Sequence, residues 1–479
     1  MAASNPFFQL PYESALESLG ETFYDRVQPA TFPQPILRFR NDELLIQLGL
    51  DPKQVTDAHF LEAFGEFQAS PHPCVGLALR YHGYQFGQYN PYLGDGRGFL
   101  YGQVRTPTGQ LLDFGTKGSG QTPHSQGRDG RMSLLGGVRE VLAAEALHRL
   151  GISTSRVLCL IETGEVITRE DESAPTRCAI MVRLSQSHIR FGTFERLEYY
   201  DRRDCVRQLL DYVVQHYYSH LWKQPDQDRH FYAALVQRTA QLVAQWMAAG
   251  FCHGVLNTDN MSITGEGFDY GPYAFIRTYL PYFTPASFDR WGRYSYRNQP
   301  RMCRWNLAML QRPLALVIPQ SELEAILESF TAEYERAYQQ AMLSKLGFDY
   351  LPEADAEMLL RVTVEFLFRS QMGYHQFFLE LRRQFSSQWR ENPATIFADC
   401  SFLNSEEQAI ALNSWRRLYH RLLQEQPETE MAAIAERLTA HNPKQVPLQS
   451  TIKEVWAAIF QGDDWHPFDK LLTQLKRDG

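Results

Sequence analysis

Residues 254–272 read GVLNTDNMSITGEGFDYGP. Asp269-Tyr270-Gly271 follows nine residues after Asn260, the last member of a Thr258-Asp259-Asn260 triplet. An amide oxygen and a carboxylate at Asn260 and Asp269 are hard donors of the kind Mg²⁺ prefers. Asp259 beside them is open to two readings. Its carboxylate could accept a proton from an attacking hydroxyl, or it could shape the loop as an Asx turn. Thr-Asp-Asn alone is a common loop triplet, so the surroundings must decide.

Upstream, HFYAALVQRTAQLVAQWMAAG (230–250) is amphipathic and stops at Gly250. Kinase-type folds place a catalytic loop after such a helix, followed by a metal-binding Asp-Phe-Gly. Aminoglycoside-type kinases carry His-Gly-Asp there, with an Asn five residues after that Asp. In this chain His253-Gly254 is followed by Val255, and five residues on comes Asn260. Valine cannot act as a base, so a kinase-like metal pair stands without its expected partner.

The region before it supplies a second half. From about 76 to 195 the pattern is one of strands. GFLYGQVR and QLLDFGTK flank TPTG at 106–109, a Pro/Gly hairpin signal. RVLCLIE and EVITRE flank Thr163-Gly164, where a second hairpin turn is expected, and CAIMVRL follows as another strand. Residues 131–151, RMSLLGGVREVLAAEALHRLG, read as a helix, with Leu135, Val138, Leu142, Ala146 and Leu150 at helical spacing and Gly151 as the stop. Beyond 196 the chain is mainly helical, with further helical patterns at roughly 320–345, 354–386, 405–424 and 428–440, and a loop-rich, aromatic-rich stretch at 251–312. The expected architecture is α+β and bilobal, of protein-kinase type. An irregular, Pro-punctuated arm (1–75) packs on the body, a β-rich small lobe (76–195) binds nucleotide, and a helical large lobe (196–479) carries the catalytic and metal-binding loops.

Within the small lobe, Gly94, Gly96 and Arg97 in GDGRG suit close approach to phosphate, or an ordinary tight turn. Lys117 ends a strand, where it either reaches a nucleotide or is solvated. Glu140 projects opposite the apolar stripe of its helix, as a solvated residue or as the ion-pair partner of Lys117. Asp129-Gly130 reads by default as a helix-entry turn. Arg183 and Arg190 either clamp a polyphosphate or form surface salt bridges, the reading their context favours.

Composition sets the outer bounds. The chain has 479 residues, 44% hydrophobic, 21% charged and 13% aromatic, as in globular proteins of more than one lobe. A net charge of −8 argues against nucleic acid or an acidic membrane as a main partner. Seven scattered cysteines (74, 159, 178, 205, 252, 303 and 400) without C-x-x-C spacing read as reduced thiols. With no signal-like N-terminus and no membrane-length apolar run, a soluble cytoplasmic protein is expected.

Taken together, LRYHGYQFGQYNPYLGDGRG, LDFGTKGSGQTPHSQGRDGR, VREVLAAEALHRLGISTSR, SHIRFGTFE, GVLNTDNMSITGEGFDYGPY and GRYSYRNQP resemble the selenoprotein O family, whose bacterial members are called YdiU proteins. The resemblance is dense from about 76 to 307. It implies a pseudokinase fold that binds ATP in reversed orientation and transfers AMP to Ser, Thr or Tyr hydroxyls of proteins, releasing pyrophosphate. UTP is implied as a second donor. A kinase activity, or a non-catalytic ATP-binding scaffold, remains the alternative. By matching motif, Gly94, Gly96, Arg97, Lys117, Asp129, Gly130, Arg183, Arg190 and Asp269 would contact nucleotide, and Glu140 would pair with Lys117. Asp259 would accept the proton, and Asn260 with Asp269 would hold Mg²⁺, or Mn²⁺ in its place. Two departures stand out. The last cysteine is Cys400, so no C-terminal redox control is expected, and YFTPASFDRWGRYSYRNQP differs from the family before rejoining it at GRYSYRNQP.

Overall fold

Alternating side chains in LLDFGTK and CAIMVRL organise the centre of the molecule. The computed structural model describes residues 5–68, 76–168, 175–401, 403 and 405–477. Cys74 lies outside them. The strands are β1 (Tyr12–Glu13), β2 (Tyr24–Arg26), β3 (Ile36–Arg40), β4 (Leu77–Leu79), β5 (Gly83–Gln85), β6 (Gln88–Asn90), β7 (Leu100–Arg105), β8 (Leu111–Lys117), β9 (Met132–Ser133), β10 (Arg156–Ile167), β11 (Thr176–Ser185), β12 (Phe251–Cys252) and β13 (Ala274–Phe275). The main sheet runs β2-β4-β7-β8-β11-β10-β3, with β1 on β7 and β9 on β11. Its pairings are antiparallel.

TPTG turns the chain between β7 and β8 as the sequence predicts. Thr163-Gly164 does not. β10 passes straight through it, and the register against β11 shifts between Glu162 and Val166. Gly164 has φ +77°, a conformation that serves a bulge as well as a turn. The prolines of the first 40 residues also conceal β1, β2 and β3, which join the sheet.

Residues paired directly across antiparallel strands share a face. Lys117 opposes Met181 and Gly115 opposes Arg183, so Lys117 and Arg183 project to the same side. Leu112, Phe114, Ile180 and Val182 project to the other, where Phe7, Phe60 and Phe64 of the N-terminal segment cover them. Burying each such ring contributes about 1.5–3 kcal/mol.

The helices are α1 (Asp42–Gln47), α2 (Asp57–Phe60), α3 (Leu134–Arg149), α4 (Phe191–Tyr199), α5 (Arg203–Tyr217), α6 (Gln227–Ala248), α7 (Gln299–Leu314), α8 (Gln320–Leu327), α9 (Phe330–Lys345), α10 (Glu353–Ser370), α11 (Tyr374–Gln384), α12 (Glu406–Glu425), α13 (Glu430–His441), α14 (Gln449–Gly462) and α15 (His466–Arg477). The Ser133 hydroxyl caps α3 by accepting from the Gly136 N–H. A Cβ at Gly137 would lie 2.3 Å from Leu160 Cδ1, so glycine lets α3 seat on β10. α15 returns from the end of the chain to the same core, burying Phe468, Leu471 and Leu475 near α3. Asp463 ties this return to Arg38 and Arg177 of the sheet.

The helical pattern at 354–386 breaks at Gln371, which is left-handed (φ 49°), just before Met372-Gly373. The pattern at 320–345 divides at Glu328-Ser329. The loop-rich stretch ends at 298, because α7 begins at Gln299. A separate core, with Phe377, Trp389, Trp415 and Tyr419, joins α9–α13. Among the described residues, no helix is long and apolar enough to cross a membrane.

Candidate active site

The common face of β8 and β11, the α3 glutamate and the loop after β12 meet at Asp269. Lys117 Nζ donates to Glu140 Oε1 at 2.5 Å and to Asp269 Oδ1 at 3.0 Å. Arg183 Nη1 reaches Asp269 Oδ1 at 2.5 Å, and Arg190 Nη1 reaches Oδ2 at 2.8 Å. Glu140 also accepts from the Tyr270 N–H at 3.1 Å, which fixes the triplet against α3. Glu140 is therefore a buried ion-pair partner, and Arg183 and Arg190 (6% and 5% exposed) form buried ion pairs, not surface ones. Burial opposes ionisation of Asp269, but Arg183, Lys117 and Arg190 together hold its carboxyl well below the usual range.

Asp259 stands on the short helical turn Thr258–Asn260. Its backbone carbonyl accepts from Arg190 Nη1 at 2.6 Å. Its Oδ1 is buried and has no hydrogen-bond partner among the described residues. Burial pushes its carboxyl up to about 6, against the opposing charge of Arg190. A buried carboxylate oxygen left unpaired costs free energy, and such a group is typical of a proton acceptor awaiting a partner.

Asn260 donates its amide to the Val255 carbonyl at 3.0 Å, which leaves the amide oxygen to accept. Among the described residues no cluster of three or more His, Cys, Asp or Glu side chains is arranged to cage a metal. That donor set suits Mg²⁺, which takes one or two protein oxygens and completes its shell with phosphates and water. Asn260 and Asp269 carry oxygens of that kind, and both Asp269 oxygens here accept from Lys117, Arg183 and Arg190.

The Gly-rich loop joins the cluster through Asp95. Its carboxylate accepts from the Leu79 N–H at 3.1 Å and lies 3.6 Å from Arg190 Nη2. A Cβ at Gly96 would lie 2.8 Å from the His124 carbonyl oxygen, so backbone packs closely there, and Arg97 is exposed. Gly130 packs on Gly120 in the loop after Lys117. Asp129 lines an open cleft of about 510 Å³, with Gln121, Arg131 and Glu165.

Several site residues escape sequence reasoning. His188 Nε2 accepts from Arg183 Nε at 3.2 Å, and the His188 N–H donates to Asp113 Oδ2 at 2.7 Å. The ring occupies space that Gly115 leaves free, since a Cβ there would lie 1.9 Å from Nε2. Burial lowers the His188 pKa, which keeps Nε2 an acceptor for the arginine. Behind the Asp259 carboxylate, Thr258 Oγ1 donates to Glu195 Oε2 at 2.7 Å and accepts from the Tyr84 N–H at 2.7 Å. Tyr294 OH donates to Asn257 Oδ1 at 2.5 Å. The available signal for Asp113 is a lone acid in an apolar-patterned run, whereas Glu195, beside Arg196 and Glu198, leaves none.

Comparison with known proteins gives one consistent result. The family described as protein adenylyltransferase SelO matches residues 6–476. A protein of Trichormus variabilis named protein nucleotidyltransferase YdiU is 56% identical over 99% of this chain and 97% of its own length. A protein of the same name from Trichodesmium erythraeum is 55% identical over 98% and 99%. Another from Azotobacter vinelandii is 36% identical over 98% and 93%.

Proposed function

We propose a division of labour in the site from one premise: the chain belongs to the SelO family of protein adenylyltransferases. It is a nucleotidyltransferase that transfers AMP from ATP to proteins. Phosphotransfer and a non-catalytic scaffold are not favoured.

Residues 76–195 bind the nucleotide, and 196–479 supply the loops that act on it. Gly94, Gly96 and Arg97, with Asp129 and Gly130, border the nucleotide, while Lys117, Arg183 and Arg190 hold its phosphates. Glu140 keeps Lys117 in place. Asn260 and Asp269 would hold Mg²⁺, which supplies positive charge against the phosphate oxygens. The acceptor is a Ser, Thr or Tyr hydroxyl. Its oxygen bonds to the α-phosphorus, the bond to the β-phosphate bridging oxygen breaks, pyrophosphate leaves, and Asp259 takes the hydroxyl proton. UTP serves as a second donor, nucleic acid is not a partner, and the cytoplasm is the proposed location.

The observation that carries this reading is the unpaired, buried Oδ1 of Asp259 beside the Lys117–Glu140–Asp269 cluster. A valine where kinases hold a base ceases to be a defect if a different phosphorus is attacked. A structure with a non-hydrolysable ATP analogue tests it. The α-phosphorus is expected nearest Asp259, and a γ-phosphorus there would overturn the assignment.

A further inference from the structure

Next to the buried cluster, the segment 277–297 is built in the opposite way. Trp291 is 96% exposed, Tyr282 77% and Phe288 55%, and Leu280 is exposed too. Phe86, at the tip of the β5–β6 hairpin, meets Phe288 and Tyr294 with ring centroids 6.0 Å and 5.1 Å apart. Single exposed apolar residues need no explanation, but several large aromatics on one segment and its neighbour do.

The segment is ordered by the catalytic loop itself. Tyr294 OH accepts from the Phe86 N–H and donates to Asn257. A Cβ on Gly254 would lie 2.8 Å from Pro285. The patch is therefore continuous with the turn that carries Asp259.

Its charge is as uneven as its polarity. Arg277, Arg290, Arg293 and Arg297 face a single acid in these residues, Asp289. Asp289 is buried and saturated by the Arg293 and Tyr294 N–H groups and the Thr284 hydroxyl. Arg293 stacks over Trp305. Arg277, Arg290 and Arg297 are exposed, and their side chains make no ion pair among the described residues. In a chain of net charge −8, this is a local basic field bordered by aromatic rings.

We propose that residues 277–297, with Phe86, form the docking surface for the acceptor protein, and that it selects hydroxyls flanked by acidic residues. Arginines at the rim would meet carboxylates of the acceptor, and Trp291 and Tyr282 would cover its apolar side chains. The proposal rests on the acceptor being a protein.

The test uses the full-length chain, ATP labelled at the α-phosphate, and Ser, Thr and Tyr peptides with acidic, neutral or basic flanks. Casein serves as a general acceptor. Acidic-flanked peptides should be labelled about tenfold faster than basic-flanked ones at low salt. The double variant Arg290→Glu/Arg297→Glu should lose or invert that preference. Trp291→Ser should raise KM for acidic peptides while ATP affinity and Tm stay unchanged. Equal labelling of all flanks, or a preference that survives charge reversal, would overturn the docking surface and leave the transferase reading intact. A wild-type dimer that Trp291→Ser converts to monomer, with peptide preference unaltered, would also overturn it by assigning the patch to a second copy. Label on no peptide and not on casein would remove the transferase reading, and this proposal with it.

Discussion

The proposed nucleotide side and the proposed acceptor side of the Asp259 turn are built to different rules. On the first, Lys117, Glu140, Arg183, Arg190 and Asp269 are buried or nearly so, and each is held by at least one opposite charge. On the second, Trp291, Tyr282 and three arginines stand in solvent without acidic partners among the described residues. A buried, over-determined charge cluster can have only one arrangement, as a fixed donor requires. An exposed aromatic and basic surface can adapt to different polypeptides. The contrast suits an enzyme with one donor chemistry and varied acceptors.

The largest effect is expected where the two sides meet. Asp259→Asn should lower AMP transfer by about 10²–10⁴-fold and leave nucleotide affinity, read by calorimetry, nearly unchanged. Equal loss of binding and transfer would make Asp259 a loop-shaping residue and blur the division. Next, Gly115→Ala forces a Cβ to 1.9 Å from His188 Nε2. The overpacking should cost about 1–3 kcal/mol in thermal or denaturant unfolding and weaken ATP binding by displacing Arg183. A neutral result would show that the nucleotide side is less constrained than its packing implies.

The pH response comes third. Burial depresses the folded-state pKa of His188, so below about 6.5 the unfolded chain takes up the proton first. Stability from this group is full above that pH and is lost as pH falls towards the folded pKa. Comparing wild type with His188→Gln by urea unfolding should show a smaller acid loss in the variant, and parallel curves would contradict this. The smallest stability change belongs to the acceptor side. Trp291→Ala should alter stability by no more than about 0.5 kcal/mol, because the ring is almost wholly exposed.

The same contrast explains what the sequence could reveal. Lys117, Glu140 and Asp269 were legible because strand lysine, helix glutamate and loop aspartate come in a recognisable order. Their contact follows from the β8–β11 register and from Gly137 seating α3. The link from Arg183 through His188 to Asp113 was hidden, since Asp113 lies 75 residues before His188 and stands as an isolated acid in an apolar run. Gly164 was misread because one left-handed glycine suits a bulge and a turn alike, and only the partner strand separates them. The return of α15 to α3 was equally hidden, because an amphipathic helix does not name the core that its apolar face will join.

The central claim is that this site attacks the phosphorus nearest the nucleoside. Parallel incubations with ATP labelled at the α- or the γ-phosphate, with casein as acceptor, test it directly. Protein-bound label should appear from the α position alone, and be lost in Asp259→Asn. Label from the γ position alone would contradict the account.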